Sequence, residues 1–234
     1  MVEGEFSTEF DVLYNNITSN QAPGLNEYEK SVLLTKAQSQ ILIEYFNNRI
    51  DNVGGGYDGS QKRQYDFSSI IKTVDLESVT EPTTIKRLNS KSKLFYFPGD
   101  YFLSVNEVLY AGDKPYTILP ISYSEYQLLM LKPYRYPVKN AAWRLITNND
   151  TTPVAEIIGR FKTDSLVYTI RYIPKLNPII LDDLEPYGMT IEGKTAPSTS
   201  KLPSEMHRDI LDRAVLLAKV AWQNGIGVQQ AGQQ

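Results

Sequence analysis

The sequence predicts an α+β protein: terminal helices forming a helical bundle, with a mixed or antiparallel β-rich middle region inserted between them. Three observations carry this. Apolar residues recur at helical spacing up to about Ile50 and again after Ser204. Between about Phe67 and Leu184 the period shifts towards two, as strands between two environments require. The 234 residues suffice to bury a core without disulfide or metal staples. The expected division is residues 1–66 as an N-terminal helical segment and 67–184 as a β-rich domain. Residues 185–224 follow as a linker and a helix packing on the N-terminal helices, and 225–234 as a flexible docking tail.

The first helix places Phe6, Phe10, Leu13 and Ile17 on one face, and "QAPG" ends it. The second opens at Asn26, with Glu29 in the reciprocal capping position and Leu34, Ala37, Ile41 and Tyr45 as its apolar stripe. It reads as the longest helix. "VGGGYDGSQ" (Val53 to Gln61) trails that helix instead of joining strand to helix, and Lys62 is out of register for a phosphate loop, so it reads as a surface loop. "LVYTIRYI" alternates strictly, with Leu166, Tyr168, Ile170 and Tyr172 on one side. "KLFYF", "FLSVNEVLY", "AAWRLIT", "VAEIIG" and "NPIIL" are the other strand candidates, punctuated by Pro98-Gly99, Gly112-Asp113 and Asn148-Asn149-Asp150. A short helix interrupts them, capped by Ser122 with Glu125 and stopped at Pro133. The last helix is capped by Ser204, carries Ile210, Ala214, Leu217, Ala218 and Ala221 on one face, and halts at Asn224-Gly225.

Little in the chain points to chemistry. Cysteine is absent, which removes thiol nucleophiles and Cys-based metal sites and suits a reducing compartment. His207 is the single histidine; its "HRD" context lacks the other kinase motifs, so a solvent-facing or interface role is expected. Asp182, Asp183 and Glu185 form one dense acidic cluster without the spacing of a calcium loop, which reads as a solvated loop. No G-x-S-x-G elbow occurs. No catalytic, cofactor-binding or metal residue is therefore assigned, no cofactor is expected, and the protein is read as not an enzyme. A net charge of −3 argues against affinity built on phosphate neutralisation. The acidic N-terminus and the lack of an apolar run of roughly 20 residues argue against export and membrane insertion. The 16 tyrosines would serve half-buried interfaces or β cores alike.

"EFSTEFDVLYNNITSNQAPGLNEYEKSVLLTKAQ", "ILPISYSEYQLLMLKPYRYPVKNAAWRL", "YTIRYIPKLNPIIL" and "LPSEMHRDILDRAVLLAKVAW", in that order along most of the chain, resemble structural proteins of crAss-like tailed bacteriophages. Such proteins look like head-to-tail connector components. The resemblance implies a neck-ring adaptor stacked beneath the portal, a homo-oligomer of twelve copies. It implies contacts with the portal protein and adjacent neck or tail rings, and genomic DNA passing through without specific binding. It places the protein in the virion after assembly in the host cytoplasm, and it carries over no active-site residue. A tail-tube or capsid accessory protein is the alternative, and a carboxylate-dependent hydrolase a more remote one.

On this reading the ring wall is expected from Leu34, Ala37, Ile41 and Tyr45 together with Ile210, Ala214, Leu217, Ala218 and Ala221. The tail is expected to dock on a partner through Gly225, Ile226, Gly227 and Val228. Ordering roughly ten residues from Asn224 to Gln234 costs some 10–20 kcal/mol, whereas burying Ile226 and Val228 returns only about 3–6 kcal/mol, so the tail is expected to be disordered in the monomer.

Overall fold

The fold is described from a computed structural model. The residues described are 1–18, 24–47, 65, 67–79, 86–132, 134, 136–149, 152–163 and 165–231, with backbone alone at 16–18, 45–47, 149 and 224–231. In chain order the elements are helices α1 (Glu3–Thr18) and α2 (Glu27–Asn47), then strands β1 (Lys72–Glu77), β2 (Lys93–Tyr96), β3 (Tyr101–Ala111) and β4 (Lys114–Pro120). Helix α3 (Tyr123–Met130), strands β5 (Ala141–Asn149), β6 (Thr152–Gly159) and β7 (Leu166–Pro174), a 3-10 turn (Glu185–Tyr187) and helix α4 (Ser204–Ala231) complete it. The chain is α+β, with terminal helices around a β-rich middle. It divides into two compact units, residues 1–70 with 176–234, and residues 71–175. The expected loop at Val53 to Gln61 lies outside the described residues.

In the helical unit, α2 starts where its capping box predicts: the Glu29 amide donates to Asn26 Oδ1 at 2.8 Å and the Asn26 amide to Glu29 Oε2 at 2.9 Å. α1 buries Phe6, Phe10 and Tyr14. Lys30 ties α1 to α2, its buried ammonium donating to Asp11 Oδ2 at 2.7 Å, Glu27 Oε1 at 2.9 Å and Ser7 Oγ at 3.2 Å. Burial alone would lower its pKa, but the bonds to Asp11 and Glu27 outweigh that and hold it above the ordinary lysine value. The apolar stripe of α2 packs against that of α4, burying Leu34, Ala37, Ile41 and Leu42 with Ile210, Leu211, Ala214, Val215 and Ala218. Each large side chain buried there contributes roughly 1.5–3 kcal/mol.

Two expectations change in this unit. "NPIIL" is no sheet strand. It runs along α2, where Ser31, Thr35 and Gln38, four and three residues apart, share one helix face. Ser31 Oγ accepts from the Leu181 amide at 3.0 Å, Thr35 Oγ1 accepts from the Ile179 amide at 3.0 Å, and Gln38 Nε2 donates to the Asn177 carbonyl at 2.9 Å. Polar side chains of α2 thus satisfy a backbone that would otherwise need a neighbouring strand. The second change is at the C-terminus, where α4 continues through Asn224-Gly225 to Ala231 and, at 28 residues against 21 for α2, is the longer helix. Propagation from an existing helix satisfies each amide internally, and each glycine costs only about 1 kcal/mol.

In the second unit the seven strands lie in the order β1-β7-β3-β4-β5-β6-β2. All pairings are antiparallel except β4 with β5, which are parallel and joined by α3. The sheet curls until its edges meet, the Val79 amide just past β1 donating to the Leu94 carbonyl of β2 at 2.9 Å. The interior is the face that alternation in β7 predicts: Leu166, Tyr168, Ile170 and Tyr172, packed with Phe95, Phe97, Leu109, Tyr116, Ile118 and Ile157. The outer face of β5 and β6 is covered by α3, whose Tyr126 packs with Trp143, Leu145 and Ile158. α3 has the expected capping box, with the Ser122 amide donating to Glu125 Oε2 at 2.7 Å, and it ends at Met130; Pro133 lies outside the described residues. β1 and β4 escape the sequence reading because "KTVDLE" is mostly polar and "KPYTILP" is bracketed by prolines. Gly112 supplies the positive φ of 60° that the two-residue β3–β4 loop requires.

Candidate interaction surfaces

The residues that could carry chemistry are occupied structurally. His207 was expected at the surface or an interface, yet it is buried within the chain. The Met1 ammonium lies 3.1 Å from its Nδ1, its Nε2 lies 2.9 Å from the Leu202 carbonyl, and its ring centroid lies 5.2 Å from that of Phe6. Ammonium donation to Nδ1 leaves Nε2 to donate, which is the neutral imidazole. Burial, chiefly, lowers its pKa below the ordinary histidine value. Helical periodicity reports a buried face and not what a histidine on that face touches. Inside the curled sheet, Arg144 Nε and Glu107 Oε2 form an ion pair at 2.9 Å with both side chains buried, and burial followed by the Glu107 charge raises the pKa of Tyr168. Asp182, Asp183 and Glu185 are exposed, and among the described residues no three His, Asp or Glu side chains converge as a metal set.

The expected ring-wall residues split into two groups. Leu34, Ala37, Ile41, Ile210, Ala214 and Ala218 are buried inside one chain, so they form the seam between α2 and α4 and are not open to a neighbour. In the single chain the two apolar stripes cover each other. Leu217 is half-buried and Ala221 exposed, while the side chain of Tyr45 lies outside the described set. Gly225, Ile226, Gly227 and Val228 are placed by backbone only, within α4.

The apolar side chains left open are ones the sequence reading did not select. Leu216 and Val220 sit four apart on α4, 54% and 52% exposed. On the barrel, Leu128 and Leu131 at the end of α3 and Tyr134 and Val138 beyond it are exposed, Leu131 at 78%. The signal was present in "QLLMLKPY", which carries more apolar side chains than one face of so short a helix can bury.

Charge is distributed unevenly between the units. Residues 71–175 hold fourteen Lys and Arg against ten Asp and Glu, whereas the remainder holds ten against seventeen. The basic excess gathers at a cavity of about 820 Å³ lined by Arg87, Lys91, Lys93, Arg160 and Lys162, with Tyr136 in its wall, and no carboxylate lines it among the described residues. The Arg160 guanidinium lies 5.3 Å from the Tyr136 ring centroid. Beneath, Glu156 Oε1 accepts from the Leu88 amide at 2.9 Å, the Asn89 amide at 3.3 Å and the Ser92 hydroxyl at 2.5 Å. In the helical unit the Asp182–Glu185 turn projects from a small core of Ile180, Leu184 and Ile191. Net charge for the whole chain hid this split.

The features left open on this chain are surfaces: apolar side chains on α3 and α4, a basic cleft and an acidic turn. The chain matches the family model described as phage tail ring protein 3/4 over residues 1–230. Ring protein 4/5 of Bacteroides phage crAss001 is 46% identical over 224 residues, 95% of this chain and 94% of that one. Ring protein 3 of the same phage is 31% identical over 229 residues, 94% of this chain and 96% of that one. The chain belongs to the phage tail ring protein 3/4 family and is a structural ring component of a crAss-like phage.

Proposed function

We propose that this protein forms a ring of the head-to-tail connector, closed by twelve copies, which bridges the portal to the tail and through which the genome passes without sequence-specific contact. The observation that supports it is the match of nearly the whole chain to ring proteins of one phage, at 46% and 31% identity. Its role is structural and not catalytic, in the virion after assembly in the host cytoplasm. The partners are further copies of itself, the portal protein and adjacent neck or tail rings. Leu217, Ala221 and the exposed Leu216 and Val220 of α4 belong to the contact between copies, and residues 225–228 dock on the adjacent ring or portal.

Light scattering on the purified protein, followed by negative-stain imaging with and without a portal ring, tests this reading. Ring-shaped particles captured on the portal are expected. Recovery only with tail-tube or capsid proteins would overturn the connector role, and metal-dependent hydrolytic turnover lost in Asp182→Ala would overturn the structural one.

A further inference from the structure

We propose that the basic cleft of the barrel is the socket for the acidic 182–187 turn of a second copy of this chain, so that neighbours in the ring meet head to tail through unlike surfaces. The inference rests on the ring reading. A closed ring of more than two copies needs two different, complementary patches on each copy. The uneven charge supplies such a pair: five basic side chains around one cavity, and Asp182, Asp183 and Glu185 exposed on one turn. Opposite potentials on the two partners steer encounter and set register.

The turn is held rigid before any contact, with the Tyr187 amide donating to the Leu184 carbonyl at 3.2 Å, the Gly188 amide to the Glu185 carbonyl at 3.0 Å and the Met189 amide to the Leu184 carbonyl at 3.2 Å. Gly188 takes the left-handed φ of 62° that lets the turn close. A preformed turn loses little entropy on docking. It also carries Tyr187, 66% exposed, beside the carboxylates, and the cleft offers Tyr136 in return. Asp182, Asp183, Glu185 and Tyr187 are exposed on the turn, and Lys91, Arg160 and Lys162 are exposed at the cleft. A cavity of about 820 Å³ admits several side chains of a projecting turn, whereas duplex DNA presents its phosphates on a broad convex rod.

The test uses two full-length variants, Lys91→Glu with Lys162→Glu in the cleft, and Asp183→Lys with Glu185→Lys in the turn, each checked for fold by circular dichroism. Analytical ultracentrifugation of each alone is expected to show self-association weakened about a hundredfold. Mixed, they are expected to regain association, because the unmodified turn of one meets the unmodified cleft of the other and the reversed cleft and reversed turn are also opposite in charge. Normal rings from either variant would overturn the contact while leaving the ring reading intact. Pairing in the mixture when the unmodified protein forms no ring would uphold the contact against that reading. No pairing at several hundred micromolar would overturn the proposal. So would loss of duplex DNA binding in the cleft variant with self-association unchanged, which would make the cleft a phosphate site.

Discussion

At Glu156 a buried carboxylate accepts from two amides and a hydroxyl, so it holds the 88–92 segment against β6. Glu156→Ala would strand those donors, and we expect a loss of about 2–3 kcal/mol in urea denaturation of the full chain. A change below about 0.5 kcal/mol would show that water replaces the carboxylate freely. His207 makes a prediction in pH. Because burial lowers its folded pKa, the unfolded chain takes the proton more readily. Its contribution is fully present above the ordinary histidine value of 6.5 and is lost as pH falls below it towards the folded pKa. Denaturation midpoints should therefore drop between pH 7 and pH 5, and His207→Gln should flatten that slope. An unchanged slope would remove His207 as its source.

At the scale of elements, the strap along α2 and the α2–α4 seam decide how the helical unit holds together. Thr35 Oγ1 accepts from the Ile179 amide and donates to its carbonyl at 3.2 Å, so Thr35→Val should release the segment locally at a cost of about 1–3 kcal/mol. Faster amide exchange at Ile179 and Leu181 than elsewhere in the unit would register this; uniform exchange would not fit. Ala214 is buried in the seam, and Ala214→Arg should unfold the helical unit instead of giving a folded subunit that fails to assemble. A native circular dichroism spectrum would contradict it. Much of this architecture was legible: the capping pairs Asn26 with Glu29 and Ser122 with Glu125 are local, and β7 reads by alternation alone. The strap was not, because "NPIIL" has the composition of a strand and only the spacing of Ser31, Thr35 and Gln38, some 140 residues earlier, reveals its partner. The open faces were missed for a related reason. Periodicity finds the buried stripe, and a contact between chains uses what the stripe leaves over.

For the whole molecule, removing residues 225–234 should leave both compact units folded, since the α2–α4 seam closes by Ala218. We expect near-native thermal stability but lost capture by the portal ring, read by co-sedimentation. Undiminished capture would make those residues dispensable. The candidate cleft shows what single-chain totals conceal: a formal charge of −3 arises from two units of opposite sign, and only the division at residues 70/71 and 175/176 exposes it. That division has another consequence. The chain enters the barrel by β1 and leaves it by β7, and these are paired neighbours, with Lys72 opposite Tyr172. Entry and exit thus lie one strand spacing apart, roughly 5 Å. A module attached at two adjacent points can be exchanged without moving the ends of its host. Recombination at those two adjacent points would exchange the barrel while leaving the chain path of the helical unit intact.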